Sequence, residues 1–145
     1  MYKHILIPID GSPLSEGALR QGMALARALH AKVTVLTVSP PFHSVAVDPA
    51  MVTATPAQHF EESQARADKV LSMARAEADV VGVACETMHV TQDHPYQAIL
   101  DTAWAKGCDL IAMASHGRRG VSALILGSET SKVLAHGKIP VLVCR

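Results

Sequence analysis

Five short apolar runs, each bounded by turn signals, punctuate the 145-residue chain: His4 to Asp10, Val33 to Val38, Cys85 to Val90, Asp109 to Ser115 and Ile139 to Cys144. Four of them are Val-, Ile- or Leu-rich with little polar alternation, the pattern of strands buried on both faces. Cys85 to Val90 alternates Cys85, Thr87 and His89 against Glu86, Met88 and Val90, and its position in the order makes it a strand as well. The intervals carry helical spacing. Ser12 can cap a helix whose first residue is Pro13, with Leu14, Ala18, Gly22, Leu25 and Leu29 forming its inward stripe. A longer helix, Ala57 to Val81, turns Phe60, Ala67, Leu71, Ala74, Ala78 and Val81 inward and carries Glu61, Glu62, Arg66, Asp68 and Lys69 elsewhere. Pro95 opens a third helix that buries Ile99 and Ala103 and stops at Gly107, with Trp104 packed on it. A fourth runs from Ser128 to Gly137 with Val133 and Leu134 inward, and Pro140 prevents its continuation.

Strands alternating with helices cannot form hairpins, so each connection is a right-handed crossover in a parallel sheet. The expectation is one α/β domain over residues 1–145, a Rossmann-like doubly wound sheet of five strands in the order 3-2-1-4-5. Its switch point falls between the first and fourth strands, whose carboxyl ends are Asp10 and Ser115. The stretch from Ser39 to Thr55, with Pro40, Pro41 and Pro49, is too long for a simple connection and is expected to act as a flap.

Composition narrows the function. Thirteen basic residues balance thirteen acidic ones, so there is no net positive field to attract nucleic acid or anionic lipid. The chain is 49% hydrophobic, yet no apolar stretch approaches the roughly 18 residues that span a bilayer. Its start, Met-Tyr-Lys-His, lacks the apolar core of a secretory leader, and three widely separated cysteines suit buried thiols in a reducing compartment; the cytoplasm is expected. Eight histidines offer no H-x-x-x-H or Cys-His cluster, so no protein-built metal site is expected.

The chemistry concentrates after the fourth strand, in Ala114-Ser115-His116-Gly117-Arg118-Arg119-Gly120 and then Gly127-Ser128 at the head of the last helix. Glycines let a backbone approach an anion, and the amides and dipole of a helix start favour phosphate. Neither G-x-x-x-x-G-K-[ST] nor, after the first strand, G-x-G-x-x-G occurs. Taken singly, Asp10 could be a turn residue, Gly127 and Ser128 a turn and cap, and Arg118 and Arg119 solvated surface. Convergence on the switch point favours ligand roles for Asp10, Gly127 and Ser128, while Arg118 and Arg119 stay evenly balanced between clamping phosphate and solvated surface. His116 reads as a polar loop residue rather than a base.

In these residues the chain resembles the universal stress protein family, over essentially its whole length. The family pattern G-x-x-G, nine residues, G-[ST] is matched by Ala114 to Gly117, nine residues, and Gly127-Ser128, beside Ile7-Pro8-Ile9-Asp10-Gly11-Ser12 and Ile139-Pro140-Val141-Leu142-Val143. The resemblance implies an adenine nucleotide alpha hydrolase-like fold and a homodimeric regulatory, stress-response module that binds ATP, or AMP or ADP, with magnesium entering on the phosphates. It places adenine and ribose near Asp10 and Val38 and phosphates on the loop from Gly117 to Ser128, with Pro8, Ile9, Met113, Ala114, Ser115, Arg118, Arg119, Gly120, Gly127, Glu129 and Thr130 among the nucleotide-binding residues. Ala114 stands where the pattern begins with glycine; its methyl matters only at positive φ or against the ribose.

No poised catalytic carboxylate or base is evident, so any ATP hydrolysis is expected to be slow. Two alternatives stay open. One is an enzyme using Ser115 in a G-x-S-x-G-like elbow, with Met113 in place of the first glycine and no helix directly after the serine. The other is a nucleotide-free protein-interaction module with an unknown partner. Either nucleotide branch shares a homodimer formed by antiparallel pairing of the apolar edge strand Ile139 to Cys144.

Overall fold

The computed structural model describes residues 1–42, 55–117 and 125–145. Five strands, β1 (His4–Pro8), β2 (Lys32–Ser39), β3 (Cys85–Thr91), β4 (Leu110–Ala114) and β5 (Val141–Cys144), alternate with helices α1 (Pro13–Leu29), α2 (Pro56–Val81), α3 (Pro95–Lys106) and α4 (Ser128–His136). All strand pairs are parallel, in the order β3-β2-β1-β4-β5. The expected fold and strand order are therefore observed. The last strand is shorter than expected, because Ile139 and Pro140 precede the ladder, although the Pro140 carbonyl already accepts from Ile111 N at 2.9 Å.

Strand alternation splits the core into two layers. Ile5, Ile7, Val33, Val35, Leu110 and Ala112 pack against Leu19, Met23 and Ala26 of α1 and Leu71, Ala74 and Ala78 of α2. Leu6, Leu36, Ile111 and Met113 pack on the opposite face against Ile99 and Ala103 of α3 and Val133 of α4. With helices on both faces the central strands are sealed, and Ile5, Leu6, Ile7, Leu36 and Ile111 are wholly buried.

Local sequence sets each helix boundary. The Ser12 hydroxyl accepts from Ser15 N at 3.2 Å, and Pro13 supplies the pre-set φ of a first residue. Thr55 and Gln58 form a reciprocal capping box at the start of α2. Gly82 and Gly107 close α2 and α3 at φ 79° and 68°, where a side chain would be strained.

Several expected inward positions face outward. Leu14 (40% exposed), Phe60 (67%), Leu134 (45%) and Trp104 (85%) are on the surface. In α1 the buried stripe is Ser15, Ala18, Leu19, Gly22, Met23 and Ala26, rotated from the expected one toward the face that packs on β1 and β4. Ser63 takes the core position a turn along from Phe60, and Trp104 lies on the α3 face opposite Ala103 and Ile99. The expected flap falls largely on residues 43–54, outside the described residues.

At the amino end of the sheet, Asp109 joins β4 to the chain start: its carboxylate accepts from Lys3 N at 2.9 Å and His4 N at 3.0 Å. Burial works to raise the Asp109 carboxyl, but donation from the His4 and Lys3 amides outweighs it and holds the group below its ordinary value. A depressed carboxyl contributes stability above its unfolded-state pKa of about 4 and loses it as pH falls through the folded value. Asp109→Asn is therefore expected to be less stable than the parent near neutral pH, by about 1 kcal/mol once solvent screening is allowed for, with the gap narrowing as pH falls below about 4. Urea melts across that range measure it; a constant gap would refute the assignment.

Candidate functional site

At the carboxyl end of the sheet β1 and β4 diverge, since α1 leaves toward one face and α4 toward the other. From β1, Asp10 N is 3.3 Å from Ser15 Oγ, while Asp10 Oδ1 accepts from Ser12 N at 2.9 Å. Gly11 stands at φ 81°, a conformation that lets the chain turn at once into α1. Across the gap lies Gly117, where an added Cβ would come within 2.8 Å of Asp10 Oδ2. Asp10 and Gly117 thus face one another over the switch point.

The second glycine is held more tightly. Gly127 N donates to the Ser115 carbonyl at 2.7 Å, and an added Cβ would fall 2.8 Å from that oxygen and 3.1 Å from His116 Cα. This contact seats the start of α4 on the end of β4. The Thr130 hydroxyl reinforces it by donating to the Ala114 carbonyl at 2.9 Å. Gly127 is the N-cap of α4 and carries no side-chain cap, so no side chain satisfies the first amides of this helix among the described residues. Ser128 is exposed beside them.

The expected site residues take unequal parts in this arrangement. Asp10, Ser115, Gly117, Gly127 and Ser128 come together at the two strand ends. Ile9, Met113 and Ala114 are buried, Pro8 and Val38 partly so, and Val38 packs against the α3/α4 core layer. These five can meet a ligand chiefly through backbone. Ala114 is not at positive φ, and its methyl packs with Ala18 and Cys144 on the α1 side of the sheet, so replacing the motif glycine introduces no backbone strain. The Glu129 carboxylate instead caps a neighbour: Oε2 accepts from Tyr96 N at 2.8 Å in the first turn of α3, which has no side-chain cap of its own at His94. Thr130 is 3% exposed and its hydroxyl is committed to Ala114. Arg118, Arg119 and Gly120 lie outside the described residues.

Sequence reasoning missed one residue here. His116, read as a polar loop residue, is 9% exposed, with Nδ1 at 2.9 Å from Ser115 Oγ. Histidine after a strand carries no burial signal of its own; its Cα lies 3.1 Å from where a Cβ on Gly127 would stand, a contact eleven residues away in sequence.

A cavity of about 450 Å³ lies on the other side of β1, between α1 and α2, lined by Ile9, Gly11, Ser15, Leu19, Arg66 and Met73 among others. Gly117 and Gly127 are not in its wall, so it adjoins the switch point without spanning it. Among the described residues no group of three or more His, Cys, Asp or Glu could hold a metal, and no helix is long and apolar enough to cross a membrane. Cys85, Cys108 and Cys144 are free thiols; burial pushes Cys108 up to about 11, so it stays protonated and unreactive near neutral pH.

A parallel five-stranded sheet with helices on both faces, and a glycine N-cap seated on the end of β4 at its switch point, defines the class: a doubly wound α/β protein. Residues 1–145 match the model of the universal stress protein family, and the chain belongs to that family. It is 34% identical over 146 residues to a universal stress protein of Thermus aquaticus, and 31% identical over 150 residues to one of Bacillus subtilis, each alignment covering 100% of both chains. Among solved structures it is similar to universal stress protein UspA from Lactobacillus plantarum, with 26% identity, TM-score 0.80, and coverage of 99% of this chain and 98% of that one. More distant folds of the same kind include a universal stress protein in complex with cAMP (21% identity, TM-score 0.70, 99% and 97% covered). Another is the Archaeoglobus fulgidus protein in complex with dAMP (20%, TM-score 0.67, 99% and 98% covered).

Proposed function

We propose that this universal stress protein binds an adenine nucleotide at the β1/β4 switch point and acts as a small regulatory module. The observation that carries the reading is the head of α4, a nine-residue helix whose N-cap is a glycine pressed onto β4 and whose first amides no side chain caps among the described residues. Such an end offers several N–H donors and a partial positive charge to an anion. Asp10, facing Gly117, is suited to accept hydrogen bonds from ribose hydroxyls, and the adenine would lie toward the end of β2 at Val38. That two neighbours of the same fold are adenine nucleotide complexes supports the same chemistry.

ATP is the finer assignment, with magnesium carried on its phosphates. The described residues offer no carboxylate pair and no base placed for water, so turnover is expected to be slow. Extraction of the denatured protein followed by chromatography, together with calorimetry using ATP, ADP and AMP with magnesium, tests the proposal. Released adenine nucleotide or saturable binding supports it; an empty extract and flat titrations reject it.

A homodimer belongs to the same proposal. β5 is the edge of the sheet, with Leu142 39% exposed, and its outer backbone groups can pair antiparallel with a second copy over Ile139 to Cys144. Light scattering at micromolar concentration is expected to give twice the monomer mass. We place the protein, as one domain over residues 1–145, in the cytoplasm, a compartment in which its three thiols remain reduced.

A further inference from the structure

Among the described residues, the one buried side-chain polar atom without a hydrogen-bond partner is Nε2 of His116. Leaving such an atom unpaired is destabilising, and each one in a folded chain calls for an explanation. Its setting is specific. His116 is 9% exposed, its Cα abuts the N-cap Gly127, and the preceding carbonyl accepts from Gly127 N at 2.7 Å. The ring is thus within one side chain's length of the uncapped head of α4. The opposite ring nitrogen, Nδ1, is 2.9 Å from Ser115 Oγ, so the ring is already anchored on one side.

We propose that His116 Nε2 is a hydrogen-bond donor for a phosphate oxygen of the bound nucleotide, with the Ser115 hydroxyl fixing the tautomer. The proposal rests on the nucleotide reading above and adds to it a phosphate contact from a side chain. If the Ser115 hydroxyl donates to Nδ1, the ring proton resides on Nε2 and makes that atom a donor. The α4 amides, the Ser128 hydroxyl and the imidazole N–H are then three kinds of donor close together at this corner, beside the Asp10 carboxylate that faces Gly117. A single multidentate anion satisfies the donors together, and the unpaired nitrogen becomes paired on binding. Destabilisation of the free state is exchanged for contact in the bound one.

Three ligands separate this role from general packing: magnesium-ATP, AMP and adenosine, titrated calorimetrically into the parent, His116→Phe and His116→Gln. In His116→Phe, affinity for ATP and AMP is expected to fall roughly tenfold while adenosine binds as in the parent, and the ligand-free Tm is expected to be unchanged or higher. His116→Gln, which retains an N–H donor on a side chain of similar reach, is expected to recover part of the loss. An equal loss for adenosine, or no loss for the phosphorylated ligands, overturns the proposal. Should the parent bind none of the three, the nucleotide reading fails by itself. Long-range ¹H–¹⁵N spectra of the parent's imidazoles with added pyrophosphate then decide the anion contact. A protonated Nε2 that shifts on titration upholds it, and an Nε2 that is unprotonated or unmoved removes it. The same spectra decide the matter if a variant does not fold.

Discussion

Gly127→Val is expected to weaken nucleotide binding by roughly 10- to 100-fold while the protein still folds, read by calorimetry with magnesium-ATP and by circular dichroism. The first side-chain carbon would arrive 2.8 Å from the Ser115 carbonyl oxygen and 3.1 Å from His116 Cα. Both are backbone atoms, so no rotamer change relieves the clash. α4 must shift away from β4, which breaks the Gly127 N to Ser115 O bond and moves the amides that would hold the phosphates. Overpacking of this kind costs about 1–3 kcal/mol, and every 1.4 kcal/mol is tenfold in affinity. Gly17→Ala is the control: nothing lies within 4 Å of the added carbon. There alanine's helix propensity is worth up to about 1 kcal/mol of extra stability, with binding unchanged. Equal behaviour of the two variants would show that the approach at Gly127 is not what shapes the site.

The largest effect on stability is expected at Ile7. This side chain is wholly buried beneath α1, and Ile7→Ala should remove about 2–5 kcal/mol from a total of order 5–15. Gly22 is the reason collapse cannot heal the gap, because it presents no side chain over Ile7. An added Cβ there would stand 2.5 Å from Ile7 Cδ1, 3.2 Å from Cγ1 and 3.5 Å from Ala112 Cβ. The two positions are therefore coupled. Ile7→Val alone costs about 0.5–1.5 kcal/mol and Gly22→Ala alone overpacks the core. Together they relieve the closest clash and place a better helix former in α1, so the double variant should be more stable than the sum of the singles predicts. Denaturant melts of the four proteins close the cycle; additivity within about 0.5 kcal/mol would contradict the packing described.

The layer order was legible because strand and helix periods differ and alternate without interruption, leaving few topologies for a chain of this size. The boundaries set by backbone chemistry were equally plain: Pro13 after Ser12, Pro95, and Gly107 at positive φ. Which helical face points inward was less so. Leu14 and Leu25 define as good a stripe as Ala18 and Met23, and the choice is made by which face of α1 meets β1 and β4, a tertiary fact. Phe60, Trp104 and Leu134 failed for the same reason, since apolar character says where a residue can be buried and not where it must be. Within the site, glycine spacing marked both close approaches. The cross-helix cap from Glu129 to Tyr96 and the enclosure of His116 depend on partners 33 and 11 residues away and leave no local trace.

The parallel ladder gives the molecule two unlike poles. Met1 and the Asp109 tether mark one, while Ser115, Gly127 and the Cys144 carbonyl, which accepts from Ser115 N at 2.8 Å, mark the other. An affinity handle or fluorophore joined before Met1 therefore projects into solvent on the side remote from the switch point. The same cargo joined after Arg145 emerges next to Ser115, so immobilisation through the amino terminus is the orientation that keeps the proposed nucleotide site open to a titrant.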